Sequence, residues 1–431
     1  MKFRYSLNDR PPLWESILIG LQFCAIVVPW IIILGNIAGS FHFENVNERT
    51  IYLQKLFFAA AVFTLLEILV GHKLPLIFGP STVMLIGIIS SVGFDMSTIY
   101  TAALIGSVLL TVCAVFGIFG AIQKLFTPRV VSVVLLLISF CLIPAVVRLV
   151  TDENAGGTFQ SNIYFAFVMM FTMITLHRFL KNIGRSILIV SSMLVATLFY
   201  FLIYPGSFDG NAIHQAAPVA PFFTNLTTSF SMDAGLTLSF IICYIALSIN
   251  DLGSIQTMNA LALPPNMAER IDRGILVTGV GNILTSFLGV FGQVNYSLSL
   301  GVVLSSSCLS RWTLIPASVI LFVVSFSPKT ITLLANVPPV VVGGALVYIL
   351  TTQIAGGLTF LTGSTKQLEF DDFLVLGMPL IIAIVIAFLP PHVIGSFPEL
   401  IRPVVGNSFV MGVLAVIFLE HVVFRKLSPE R

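Results

Sequence analysis

Fourteen apolar stretches follow one another along this 431-residue chain, with little hydrophilic sequence between them. A segment that crosses a bilayer core needs about 20 mostly apolar residues. Inside the core its backbone must satisfy its own hydrogen bonds, and for runs of this kind that means helices. The stretches lie at roughly 15–38, 54–71, 76–91, 98–120, 128–150, 162–180 and 185–205, then at 234–252, 273–291, 296–309, 311–327, 338–358, 372–389 and 407–425. Hydrophobic residues make up 57% of the chain and charged residues 9%, more apolar surface than a soluble fold could bury. The expected class is an all-α polytopic membrane protein, a single membrane domain over 1–431, with the lipid bilayer as its first partner.

The stretches divide into two sets of seven, 1–205 and 234–425, and the sets echo each other. "TPRVVSVVLLLISF" opens the fifth stretch, and "VPPVVVGGALVYIL" opens the fifth of the second set. The third and tenth stretches, "PLIFGPSTVMLIGI" and "NYSLSLGVVLSSS", are too short to cross as helices at about 1.5 Å per residue. Both read as broken helices. Seven is odd, so the second set enters the membrane from the opposite side. Inverted repeats with paired interrupted segments build a substrate site near the midplane. Lys and Arg support this path: 16 of the 21 fall on one side of it, and Arg49, Lys55, Arg148, Lys329 and Arg402 on the other. The richer side is expected to be cytoplasmic. Both termini then lie in the cytoplasm of a cell whose inner membrane the chain spans. Residues 1–16 read as a tail, because the apolar run after them is too long for a signal-peptide core and lacks a small-residue cleavage site.

Several function classes drop out. The formal charge is +2 with no basic cluster, so nucleic acid is not an expected partner. Cys24, Cys113, Cys141, Cys243 and Cys308 all sit in apolar runs without metal-ligand spacing, which leaves them as small core residues. No phosphate-binding loop, metalloprotease helix or nucleophile elbow occurs, so neither an enzyme nor a cofactor is expected.

Polar groups deep in apolar sequence are then the candidates for function, since each costs several kcal/mol there unless paired. Asn250, Ser254 and Thr257 recur at helical spacing on the eighth stretch with Asp251 beside them. The competing reading ends that helix near residue 250 and leaves the stripe in the headgroups. "FGPSTV" combines Gly79, a Pro80 suited to a first helical turn, Ser81 and Thr82. Such a start turns backbone N–H groups and the positive end of a half-helix into the protein. Asn295, Tyr296, Ser297 and Ser299 precede Gly301 in the same manner. Glu67 lies about one turn from His72 and Lys73, and the expectation there is a side chain reaching to the cytoplasmic surface.

With these motifs in hand, the chain resembles the nucleobase/ascorbate transporters, a family that includes the bacterial uracil and xanthine permeases. The likeness rests on "DRPPLWESILIGLQ" (9–22), "KLPLIFGPS", "DRGILVTGVGNILTSFLGVFGQVNYSLSLGVV" (272–303) and "VPPVVVGGALVYIL" (337–350). It implies fourteen spans in two inverted sevens, a core domain from 15–120 and 234–327, and a gate domain from 128–205 and 338–425. It also implies a substrate held between the broken third and tenth segments and the eighth helix, elevator-like movement of core against gate, and homodimers through the gates. The sequence departs from the family at the usual contacts. Where relatives carry Glu this chain has Asn250, where some carry His it has Ser254, and Leu298-Ser299 replaces a Gln/Glu-Asn signature. Phe23, after Gln22, replaces a His.

The resulting expectation is a secondary active transporter, a symporter for a uracil- or xanthine-like nucleobase or similar heterocycle. Its substrate-binding residues are Asn250, Asp251, Ser254, Ser81, Thr82, Phe23, Tyr296, Ser297 and Ser299. Asn250 offers both an acceptor and a donor to a heterocyclic edge, and Phe23 or Tyr296 offers a stacking face. Asp251 is the proton-coupling candidate, because burial disfavours a charged carboxylate; another cation remains a possible coupling partner. Two alternatives stand beside this reading. One is a small-anion carrier using the two half-helix N-termini, as in the distantly related sulfate and bicarbonate carriers. The other is an uncoupled facilitator, if Asp251 faces cytoplasmic water.

Overall fold

The computed structural model describes residues 3–91, 93–152, 157–180, 183–208, 210–364, 369–398 and 401–424. Lys2, Lys181, Lys366, Arg425, Lys426 and Arg431, six of the residues behind the expected orientation, lie outside that set. Long helices open the chain: α1 (Leu13–His42), carrying Pro29 in its interior, and α2 (Val46–Leu69), whose N-cap Asn45 accepts from the Asn47 amide. The third stretch is broken as expected. It comprises a short strand β1 (Phe78–Pro80) followed by α3 (Thr82–Ser90). Pro80 ends the strand and Ser81 takes the N-cap position, so the proline precedes the helix rather than entering its first turn. α4 (Met96–Val115) and the short α5 (Ile118–Ile122) follow.

The fifth stretch divides at Leu142 into α6 (Pro128–Cys141), capped by the Thr127 hydroxyl, and α7 (Ile143–Val150), with prolines near the start of each piece. α8 (Phe159–Phe179) and α9 (Ile183–Ile203) complete the first half, and the short α10 (Gly210–Gln215) lies in the connection to the second. The second half opens with α11 (Ala234–Ala262), capped by the Asp233 carboxylate, then α12 (Met267–Leu288). The break around the tenth stretch repeats the pattern of the third, with strand β2 (Gln293–Asn295) just ahead of the stretch as read from the sequence and helix α13 (Ser299–Ser306) within it. α14 (Leu314–Ser325) and α15 (Pro328–Ala335) meet in a bend of 107° at the Pro328 break. The chain continues through α16 (Pro339–Ser364), α17 (Phe370–Ala387), α18 (Pro391–Ser396), α19 (Arg402–Val405) and α20 (Ser408–Phe418).

Among the described residues, eight helices are long and apolar enough to cross a membrane, or nine if the bent pair α14–α15 counts as one span. Large apolar side chains stay exposed on the outside, Phe167, Val168 and Phe171 of α8 among them, as a lipid-facing exterior requires. α12 packs along α4 and α2, α14 along α2 and α1, and α11 along α4; elsewhere α16 packs on α6, α7 and α8, and α17 on α20 and α6. A separate apolar cluster joins α6, α17 and α20. It is tied at one end by Arg129, which is 2.8 Å from Asp372 and 3.5 Å from Glu420.

Residues 4–7 are docked. Tyr5 bridges Cys308 in parallel fashion, the Arg4 amide donates to Ser307 O, and the Leu309 and Arg311 amides donate to Tyr5 O and Leu7 O. This strap covers the chain just beyond α13, while an Arg4–Glu15 pair at 2.8 Å fixes its other end to α1.

Candidate functional site

The two broken segments meet. β1 and β2 pair antiparallel with Phe78 opposite Asn295, Gly79 opposite Val294 and Pro80 opposite Gln293. A two-stranded contact in the interior of a helical membrane protein is tolerated only where protein surrounds it, and all six residues are buried. Their edges are satisfied by side chains. Asn282 of α12 accepts the Gln293 amide at 2.8 Å and donates to Gln293 O at 2.9 Å, acting as a further strand. The Thr64 hydroxyl accepts the Phe78 amide at 3.0 Å, the Ser299 hydroxyl accepts the Ile77 amide at 2.9 Å, and Tyr296 donates to Pro80 O at 2.8 Å. Gly79 permits the close approach: a Cβ there would stand 2.6 Å from Val27 Cγ2 and 2.9 Å from Tyr296 Cζ.

Beside this crossing lies a cavity of about 550 Å³. Pro80 and Thr82 line it from the first break, Tyr296 and Ser297 from the second, and Asn250 from α11. Trp30 and Ile37 of α1, Ile138 and Arg148 from α6 and α7, and Ala387 and Asn407 near the chain's end complete its walls. This volume suits a small planar molecule.

The polar stripe of α11 is deep in the helix, which runs twelve residues past Asn250 to Ala262. The reading in which the helix stops at 250 is therefore excluded. Successive residues turn by about 100° on a helix, so the stripe divides. Asn250 borders the cavity. Ser254, one turn on, donates to Asn250 O at 3.0 Å and meets the Ser297 hydroxyl closely. Thr257 bonds back to Ser254 O at 2.8 Å. Asp251 points away from the cavity and is fully buried, accepting from Thr278 Oγ1 at 2.6 Å and from Asn295 Nδ2 at 2.9 Å.

Of the expected contact residues, Asn250, Thr82, Tyr296 and Ser297 line the cavity together. Asp251, Ser254, Ser81, Phe23 and Ser299 are buried behind its wall rather than among the lining residues. Ser81 donates its amide to Gly292 O at 3.0 Å, while its hydroxyl has no partner among the described residues. The first N–H groups of α13 are already used: those of Ser299, Leu300 and Gly301 donate to Tyr296, Ser297 and Leu298 carbonyls. The aromatic wall from α1 is Trp30, seven residues beyond Phe23 on the same helical face.

Glu67 corrects another expectation. It does not reach toward a surface but is fully buried, 3.2 Å from both Thr278 Oγ1 and Asn295 Nδ2, and 3.3 Å from His72 Nε2. The His72 Nε2 also pairs with Asn295 Oδ1 at 3.1 Å. Leu69 and Val70 at the end of α2 are exposed, but Glu67 lies on the buried face of the helix and its partner Thr278 is on α12, so it faces α12 and not headgroups. Asn295 thus joins the cavity wall to a buried set of Glu67, Asp251, Thr278 and His72. Sequence reasoning missed Asn282, Thr278, Trp30 and Arg148. Asn282 and Thr278 carried a readable signal, as polar groups one helical turn apart within an apolar run.

A family model named Xan_ur_permease and described as "Permease family" matches residues 15–392. The chain is 24% identical to the nucleobase transporter PlUacP of Paenibacillus larvae, over 96% of each chain. It is likewise 24% identical to a xanthine permease of Bacillus subtilis, covering 92% of this chain and 90% of that one. Its fold is similar to that of the transmembrane domain of a cyanobacterial bicarbonate transporter, BicA, at a TM-score of 0.53 and 12% identity, over 89% of this chain and 98% of that one. On its sequence match the chain belongs to the Xan_ur_permease family, and its apolar helices make it a multi-pass membrane permease.

Proposed function

We propose that this protein is a secondary active transporter of a nucleobase, uracil- or xanthine-like, or of a similar small heterocycle. The observation that carries the reading is the cavity at the β1–β2 crossing with Asn250 on its wall. Asn250 presents one acceptor and two donor hydrogens to the mixed edge of such a ring. Thr82 and Ser297 add hydroxyls, and Tyr296 and Trp30 supply flat aromatic surface beside them. The names of the relatives, a nucleobase transporter and a xanthine permease, agree with this choice of cargo.

Fourteen segments in two inverted sevens, split into core and gate, belong to the same reading. Its support is the matched strand-then-helix break at equivalent places in the two halves. Elevator movement, homodimers through the gates and cytoplasmic termini follow as part of it. In that orientation the cavity extends toward Ile37, Arg148 and Ala387, near the ends of helices that enter from the Lys/Arg-rich side. Access is then from outside the cell.

Coupling to protons falls to Asp251, now with Glu67 as its neighbour. Asn295 connects both carboxyls to the cavity wall, so an occupant that shifts β2 also shifts their hydrogen bonds. The test is a thermal-shift panel of uracil, xanthine, adenine, sulfate and bicarbonate on purified protein, because a ligand of the folded state stabilises it. Stabilisation by a nucleobase alone supports the reading, and stabilisation by sulfate or bicarbonate alone overturns it.

A further inference from the structure

α13 is seated against α16 by two glycine notches. A Cβ on Gly301 of α13 would stand 2.5 Å from Ile349 Cγ2, and one on Gly356 of α16 would stand 2.5 Å from Leu304 Cδ1. Ile349, Gln353 and Gly356 recur at helical spacing, so one face of α16 carries a knob, a notch and a glutamine between them. Gln353 is wholly buried. Its Nε2 donates to Ser297 O at 2.8 Å, and its Oε1 has no partner among the described residues. Ser297 in turn lines the cavity, and its hydroxyl meets Ser254 of α11. A side chain of α16 is thus one hydrogen bond away from the cavity wall. The adjoining positions on that face, Ile349 and Leu350 on one side and Gly356 and Gly357 on the other, carry no side chain that can donate. A slide of α13 along α16 by one turn, about 5.4 Å, therefore withdraws Ser297 O from Gln353 and leaves a buried amide unpaired.

We propose that Gln353 is a positioning residue that holds Ser297, and with it the second break, in the register seen here, and so sets how long the cavity stays open. The proposal rests on the transport reading above, in which α13 belongs to the core and α16 to the gate. It adds the contact that breaks when one moves past the other. Gln353 touches no cargo and acts through Ser297. Its bond is made in the resting form, loaded or empty, and is lost once α13 has moved, so it stabilises the start of the movement and not its midpoint. Removing it then has the opposite sign to ordinary damage: the carrier leaves the open form faster.

The experiment pairs exchange of radiolabelled xanthine in proteoliposomes with thiol labelling of the cavity. Gln353→Leu removes the amide at similar volume, and Gln353→Met, unbranched and of similar length, serves where the branched side chain disturbs packing. Labelling by a small charged methanethiosulfonate added outside is read at Ala145→Cys, a cavity-lining position, in a background carrying Cys113→Ser and Cys141→Ser. The remaining cysteines, Cys24, Cys243 and Cys308, are buried. Loss of one net hydrogen bond is expected to raise kcat for exchange about three- to tenfold, with KM within about twofold of wild type, and to slow labelling at least about twofold. Loosened packing or a displaced Ser297 would instead lower kcat and raise KM. Melting temperatures show that each variant folds. Exchange that is not faster, or labelling that is not slower, in a folded variant overturns the proposal while leaving heterocycle transport standing. Wild-type protein that exchanges neither xanthine nor uracil overturns the transport reading, and the labelling, which needs no cargo, separates that failure from failure of the Gln353 contact.

Discussion

Thr278 Oγ1 lies 2.6 Å from Asp251 Oδ2 and 3.2 Å from Glu67 Oε1, between two carboxyl groups that are both wholly buried. A threonine hydroxyl has one hydrogen to give, and the shorter contact assigns it to Asp251. Asn295 has two, and its Nδ2 reaches Asp251 at 2.9 Å and Glu67 at 3.2 Å. The two acids therefore share a small stock of donors, and a change at one alters the bonding of the other.

Asp251→Asn is expected to keep downhill uptake and lose accumulation driven by an imposed pH gradient, since an amide cannot take up and release a proton in the working range. Glu67→Gln is expected to weaken the same response. Gradient-driven accumulation by Asp251→Asn at the wild-type level removes Asp251 as the coupling group.

Asn250→Ala opens the cavity wall without touching the Asp251 network. Specific uptake is expected to fall at least about tenfold, the loss of a hydrogen bond or two to the cargo, with a melting temperature close to wild type. Unaltered uptake would take α11 out of the substrate site.

Gly79→Ala pushes a methyl into Val27 and Tyr296. Because α1 and the second break approach Gly79 from both sides, the expected result is a destabilisation of about 1–3 kcal/mol and poor transport. Pairing it with Val27→Ala should restore part of both, as measured by melting and uptake of the double variant.

Asn282→Ala removes both bonds to the Gln293 backbone and leaves a buried amide and carbonyl unpaired. A loss of about 2–4 kcal/mol is expected, read as a lowered midpoint in detergent. Unfolding like wild type would mean that β2 is held by β1 alone.

Arg129→Ala strands Asp372, whose side chain is 1% exposed, at the junction of α6, α17 and α20. Removing one partner of such a pair costs about 3 kcal/mol. Asp372→Asn in the same background should recover much of the stability, because a neutral amide no longer needs the cation.

The sequence by itself determined the membrane class and the break in each half, though it began the tenth stretch at residue 296, just past the strand Gln293–Asn295 that makes the crossing. Apolar runs of span length admit few other solutions, and a run too short to span announces an interruption through its own Gly79, Pro80 and Ser299. The eighth stretch also disclosed its polar stripe, since amphipathic spacing is local information. Only the tertiary structure decided which face of that stripe meets the cavity and which meets α12. A rotation of about 100° separates Asn250 from Asp251, and nothing local fixes what lies opposite each. The same holds for Glu67, whose nearness to His72 and Lys73 in sequence suggested a surface. Its place on the buried face of α2 set it against Thr278 and Asn295, more than 200 residues away along the chain. Hydrogen-bond partners at such separations are chosen by packing, and packing is where the coupling and selection proposed here reside.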